Sequence, residues 1–127
     1  MRILVVEDNQ DNRDMLVRRL ERRGYEVCTA ENGKEGIESA HAFAPDVILM
    51  DLSLPVMSGL EATRALRAQA ATREIKIIAL TAHAMAGARR DCMQAGVNAF
   101  ATKPIEFDDL IATLEAVARG DVIREVA

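Results

Sequence analysis

Two stretches of the chain are apolar without interruption, residues 3–6 (ILVV) and 47–50 (VILM), and each stops abruptly on acids: Glu7 and Asp8 after the first, Asp51 after the second. A strand with one wet face alternates apolar and polar residues, so unbroken runs predict strands covered on both faces, as in the middle of a parallel sheet. Three further strands are predicted at 26–30, at 75–80 ending on Thr81, and at 98–102, where Lys103 and Pro104 follow. Helical patterns fill the gaps. The first covers 11–23, with Leu16, Leu20 and Met15 inward and Gly24 as its stop. The second opens at Asn32 with Glu35 three residues on, a capping-box spacing, and puts Ile37, Ala40 and Ala44 on one face. Gly36 within it costs about 1 kcal/mol against alanine, which marks a softer element. Ser58 and Glu61 repeat the box and open a third helix running to about Gln69, with 70–74 as a polar connection. A fourth starts near Ala84 or Ala86, weakly because of Gly87, and runs to Ala95 before Gly96, with Ala88, Cys92 and Ala95 inward. The last has the clearest period: Phe107, Leu110, Ile111, Leu114, Val117 and Ala118 share one face, Gly120 closes the helix, and 121–127 reads as a frayed tail.

Five strands alternating with five helices predict a doubly wound α/β sheet with right-handed crossovers, a single domain over 1–120 followed by a short tail. At 127 residues, half of them hydrophobic, the chain can bury a core of its own. Open sheets of this class bind ligands beyond the carboxyl ends of their strands. Glu7, Asp8, Asp51, Thr81 and Lys103 all stand at such ends, so one crevice collects them.

Composition narrows the function classes. A net charge of -4 and only four aromatics, Tyr25, Phe43, Phe100 and Phe107, argue against a nucleic-acid surface. Cys28 and Cys92 are too few and too far apart for a disulfide framework or a metal knuckle, which suits a reducing compartment. No apolar stretch of membrane-spanning length occurs, so no membrane partner is expected and a cytoplasmic protein is the default. Five arginines lie on the first helix, Arg13, Arg18, Arg19, Arg22 and Arg23, and read either as a solvated face or as a docking surface for an acidic partner. His41 and His83 lack a metal-ligating partner at usable spacing, although His83 lies two residues past Thr81 and borders the crevice. Met50, Met57, Met85 and Met93 read as packing.

Three ionised carboxylates about 5 Å apart repel by roughly 3 kcal/mol per pair at an effective dielectric of ~20, so Glu7, Asp8 and Asp51 call for a cation. All-oxygen ligation suits a hard divalent ion, and Mg²⁺ typically takes one or two carboxylates while keeping waters and a phosphate. Lys103 adds a point charge and Thr81 a hydroxyl where phosphoryl oxygens would need them. An aspartate so flanked can accept a phosphoryl group. Taken singly, Asp8 reads equally as a helix cap, Thr81 as a strand-end hydroxyl, Lys103 as a surface charge and Phe100 as a core aromatic; it is their placement at four strand ends that favours function.

LVVEDNQDNR at 4–13, PDVILMDLSLPVMSG at 45–59, IIALTAHAM at 77–85 and AGVNAFATKP at 95–104 together resemble the receiver domain of two-component response regulators. The resemblance implies a flavodoxin-like sheet of order 2-1-3-4-5. It also implies phosphorylation of Asp51, with Mg²⁺ held by Asp8, Asp51 and the Ser53 carbonyl and by Glu7 through a water. Lys103 would pair with the phosphoryl group, Thr81 would turn toward it, and Phe100 would follow Thr81 inward. A cis peptide between Lys103 and Pro104 is implied as well. Phe100 stands where the family often has tyrosine, and Leu54 replaces a frequent methionine. The implied partners are a histidine kinase or histidine phosphotransfer protein and a downstream protein, with the chain a monomer or weak dimer that catalyses only its own phosphorylation and slow dephosphorylation.

Two other functions share parts of this pattern. A Mg²⁺-dependent phosphohydrolase of the haloacid-dehalogenase type would place a second acid two residues after its nucleophile, where this chain has Ser53. A binding module that works without phosphorylation would usually have lost an acid, the threonine or the lysine, and all are present. The start at Met1 beside the first strand favours a stand-alone chain, and DNQDNR with TAHAM resembles receivers of hybrid kinases and short stand-alone regulators.

Overall fold

The structure, a computed structural model, describes residues 1–82 and 86–120, and for Ala86 and Gly87 the backbone alone. The strands are β1 (Arg2–Val6), β2 (Glu26–Ala30), β3 (Val47–Asp51), β4 (Lys76–Thr81) and β5 (Ala99–Thr102); the helices are α1 (Gln10–Arg22), α2 (Gly33–Phe43), α3 (Gly59–Ala68), α4 (Ala86–Ala95) and α5 (Phe107–Ala118). All strand pairs are parallel, in the order β2-β1-β3-β4-β5, a flavodoxin-like α/β sheet.

Helices on both faces explain the unbroken runs. Successive side chains of a strand point to opposite faces. In β1, Ile3 and Val5 join Leu16 and Leu20 of α1 and Leu110, Ile111, Leu114 and Val117 of α5, while Leu4 and Val6 join Ala40 of α2, Ala62 and Leu66 of α3, and Cys92 of α4. Each residue from Ile3 to Val6 and from Val47 to Met50 is fully buried. The registers Val6↔Met50 and Asp51↔Leu80 align the carboxyl ends of β1, β3 and β4, which sets the height at which Glu7, Asp51 and Thr81 emerge.

The helix starts follow the capping signals. The Asn32 side chain accepts from the Glu35 amide at 2.9 Å and donates to its carboxylate at 2.7 Å, and Ser58 Oγ accepts from the Glu61 amide at 3.2 Å. Three local expectations differ, at Ala44, at Met93 and at Ala118, which is exposed at the end of α5 while Thr113 is buried instead. Ala44 lies past the end of α2, exposed and left-handed with φ 50°, so α2 buries Gly33, Gly36 and Ala40 instead. Gly36 is there for proximity, because a Cβ would stand 3.1 Å from a Val6 methyl; the missing side chain lets α2 approach β1 closely. Met93 on α4 is 39% exposed and does not pack inward. His83, Ala84 and Met85, and the predicted tail at 121–127, lie outside the described residues.

Arg67 ties together the opposite, amino-terminal end of this half of the sheet. Its guanidinium donates to the carbonyls of Gly96, Arg73 and Ile75 and to Asn98 Oδ1, and Asn98 Oδ1 also accepts the Ile77 amide at 2.8 Å. The end of α4, the α3–β4 connection and the start of β5 therefore share one anchor on α3.

Candidate functional site

β1 delivers Glu7, 1% exposed, and β3 delivers Asp51, 2% exposed, to neighbouring positions at the sheet edge. Asp8, the next residue, is exposed. One carboxylate oxygen from each of the three lies within 4.8 Å of the other two. Lys103, placed just after β5 by a cis bond to Pro104, sends Nζ to 2.9 Å from Asp51 Oδ2 and 3.5 Å from Glu7 Oε2. Its own amide donates to the Thr81 carbonyl at 2.7 Å, which ties the ends of β4 and β5 together under the site. Thr81 is buried at this end of β4 and Phe100 is buried in β5, within the core on the α2, α3 and α4 side, where the Arg89 guanidinium lies 5.7 Å from its ring centre.

The loop after β3 is shaped around Asp51. The Ser53 amide donates to Asp51 Oδ1 at 2.9 Å. Gly59 is required where α3 begins, since a Cβ there would stand 2.2 Å from the Asp51 carbonyl oxygen. Val56, at the tip, is 82% exposed with φ 68°.

Charges in the cluster are unequally distributed. Burial, a hydrogen bond with Asp51 and the charge on Asp51 raise the Glu7 carboxyl above its ordinary value of 4.5, against the opposing pull of Lys103. Burial also works upward on Asp51, but hydrogen bonds from Glu7, Lys103 and the Ser53 amide outweigh it and hold this carboxyl below its ordinary 3.8. For Lys103, burial works downward and is outweighed by its hydrogen bond to Asp51 and the charges of Asp51 and Glu7, so the ammonium is held above its ordinary 10.5. Of the two buried carboxylates, Glu7 is therefore the one whose surroundings favour the proton, and Asp51 the one whose surroundings favour the charge.

Residues 3–115 match the response regulator receiver domain. The chain belongs to this family. It is 39% identical over 114 residues to the polar-differentiation response regulator DivK of Brucella anthropi, covering 90% of this chain and 93% of that one, and 38% identical over the same span to DivK of Brucella melitensis. Among solved structures, it is similar to the receiver domain of the sensor histidine kinase PA1611 from Pseudomonas aeruginosa, which carries a magnesium ion coordinated in its active site cleft. The TM-score is 0.86 at 41% identity, over 93% of this chain and 97% of that one. A chemotaxis response regulator of Vibrio cholerae superposes with a TM-score of 0.87 at 32% identity, over 91% and 97% of the two chains.

This response regulator receiver domain thus carries an acidic cluster of Glu7, Asp8 and Asp51 at the carboxyl edge of its sheet. Its three donor atoms are all carboxylate oxygens, which suits a hard divalent cation. The structure brings the Glu7, Asp8 and Asp51 carboxylates and the Lys103 ammonium together, with Thr81 joined to Lys103 through its backbone carbonyl; the cap of α1 is Asn9 and not Asp8, the Asn9 side chain accepting the Asn12 amide at 2.9 Å. His41 lies far from the site, with Nε2 2.6 Å from Gln69 Oε1. Met50 is buried and Met57 half-buried. Two contacts escaped the sequence reading. The Asn9 amide donates to Glu7 Oε1 at 3.2 Å, and Arg13, counted above with the surface arginines, folds back onto the loop that carries Glu7 and Asp8. A basic residue in the first turn of a helix, where the dipole disfavours it, was the available signal for the second. Among the described residues no helix is long and apolar enough to cross a membrane.

Proposed function

We propose that this receiver domain is a phosphoacceptor switch in which Asp51 takes a phosphoryl group from a phosphohistidine of a histidine kinase or histidine phosphotransfer protein. The observation that carries the reading is the placement of the Lys103 ammonium 2.9 Å from Asp51 beside three clustered carboxylates. In the transfer, an Asp51 carboxylate oxygen forms a bond to phosphorus, the N–P bond of the donor breaks, and the bond electrons leave with the imidazole, which takes up a proton. Asp51 is ready for this step because Lys103 and the Ser53 amide keep it ionised. A cleft of about 330 Å³, lined by Glu7, Asn12, Met15, Pro104 and Ile105 beside Lys103, offers room for a donor side chain.

Asp8 and Asp51, with the Ser53 carbonyl and with Glu7 acting through a water, would hold Mg²⁺. A divalent ion held by these residues would supply positive charge to offset that of the phosphoryl oxygens. Lys103 then exchanges its carboxylate partner for a phosphoryl oxygen, and the Thr81 hydroxyl donates a second hydrogen bond to the group. Thr81 and Phe100 lie on adjacent strands, so movement of the threonine toward the phosphate frees space beside the buried ring and repacks the surface of α4, β5 and α5. Output is binding of a downstream protein or onward transfer of the phosphate, in the cytoplasm, with the chain a monomer or weak dimer that makes no direct contact with nucleic acid. Turnover is confined to its own phosphorylation and slow dephosphorylation. Intact-mass measurement after incubation with a small phosphoryl donor and Mg²⁺ tests this: one added phosphate is expected in the wild type and none in Asp51→Asn. Labelling of Asp51→Asn to the wild-type extent would overturn the assignment.

A further inference from the structure

Arg13 sits in the first turn of α1, at the end of the helix where the backbone dipole opposes a positive charge. Helical side chains lean toward the amino terminus, and this one leans out of its helix altogether. Its Nη1 donates to the Glu7 carbonyl at 2.9 Å and lies 3.5 Å from the Asp8 carbonyl, while Nη2 is 3.5 Å from Glu31 Oε1 in the loop after β2. Only 13% of its side chain is exposed, against 45% for Arg23 at the carboxyl-terminal cap of α1. One planar group therefore holds three points: the carbonyls of both acids of the β1–α1 loop and the neighbouring loop.

We infer that Arg13 is a positioning residue that fixes the β1–α1 backbone so that Glu7 and Asp8 present their carboxylates to a divalent cation together with Asp51. The inference rests on the cation site proposed above. Glu7 is doubly restrained, since the Asn9 amide two residues on holds its carboxylate while Arg13 holds its carbonyl. Asp8 is exposed and has no such support for its side chain among the hydrogen bonds of the described residues, so its direction depends on the backbone that Arg13 grips. Arg13 is itself a cation close to the site. As a mere charge it would weaken Mg²⁺ binding; as a clamp it strengthens it. The two roles predict opposite signs.

Mg²⁺ titration followed by amide resonances separates them. Arg13→Lys keeps the charge and loses the fork that reaches several acceptors; Arg13→Gln loses both. Both variants should raise the Mg²⁺ dissociation constant about tenfold, the low end of the effect of disturbing groups that orient metal ligands. In the metal-free protein, hydrogen exchange at the Asn9 amide should speed up in both. Arg22→Gln, which removes a charge from the exposed side of α1, should bind Mg²⁺ as the wild type does. Unchanged or tighter Mg²⁺ binding in either Arg13 variant, unchanged exchange at Asn9, or equal weakening in Arg22→Gln would overturn the inference. If Arg13→Gln fails to fold, Arg13→Lys carries the comparison. A wild type that binds no Mg²⁺ would sink the cation site itself, a result distinct from variants that bind as well as the wild type.

Discussion

Asp8→Asn is the most informative single change in the cluster, because it should raise stability and abolish a ligand response at once. The Asp8 carboxylate lies within 4.8 Å of oxygens on both Glu7 and Asp51. At that separation two unit charges repel by about 1 kcal/mol in bulk water and about 3 kcal/mol at an effective dielectric of 20. Asp8 is exposed, so the lower value applies; the surroundings of Glu7 favour its neutral form, so the pair with Asp51 is counted first. Removing the charge should therefore stabilise the metal-free protein by about 1 kcal/mol, with about 2 kcal/mol as the ceiling if Glu7 is ionised. For a domain of this length 1 kcal/mol corresponds to roughly 4 °C, so the variant should melt ~4 to 8 °C higher in chelator. Mg²⁺ at a hundredfold excess over its dissociation constant stabilises the native state by about 2.7 kcal/mol, roughly 10 °C here. The wild type should show that shift and Asp8→Asn should show little of it. Two thermal melts of each protein, in chelator and in Mg²⁺, make the measurement. A variant that melts no higher than the wild type in chelator and still responds fully to Mg²⁺ would refute the reasoning and remove Asp8 from the site.

Two further outcomes are expected. Glu7 titrates above its ordinary 4.5, so it contributes stability that is fully present below that pH and is lost as pH rises through the raised folded value; in chelator, Glu7→Gln should flatten this part of the melting temperature against pH, and parallel profiles would count against the assignment of the proton to Glu7. Thr81→Ala should still be phosphorylated on Asp51, but the resulting amide shifts along α4 and from Phe100 to Ile105 should shrink; shifts that persist unchanged, or that stay within the loop after Asp51, would place the readout elsewhere.

Much of this molecule was legible in the order of its residues because the relevant physics is local or periodic. Strands covered on both faces leave unbroken apolar runs, as in ILVV and VILM, and the acids that end those runs mark the carboxyl edge of the sheet. Asn32 with Glu35 and Ser58 with Glu61 satisfy helix ends through hydrogen bonds three residues apart, so spacing alone exposes them. The strand-end set of Glu7, Asp8, Asp51, Thr81 and Lys103 followed from the same logic, helped by the family resemblance of the stretches around it.

Contacts between distant segments were decided only by the folded structure. Gly36 read as a weakness of α2, and the fold shows that its missing side chain admits Val6 of β1. Arg67 on α3 anchors backbone from the α3–β4 connection to the turn before β5, through partners that lie six to thirty-one residues away. The charge division between Glu7 and Asp51 depends on burial and on Lys103, fifty-two residues from Asp51, so no local pattern encodes it. The five arginines of the first helix make the sharpest case. Sequence periodicity places them on one element, but a long flexible side chain ends far from its Cα, and tertiary neighbours decide where. Arg19 and Arg23 lie over Phe107 of α5, and Arg13 turns back to the carbonyls of Glu7 and Asp8. Residue type and spacing determined which backbone elements form; which charged groups serve the site was settled when packing brought those elements together.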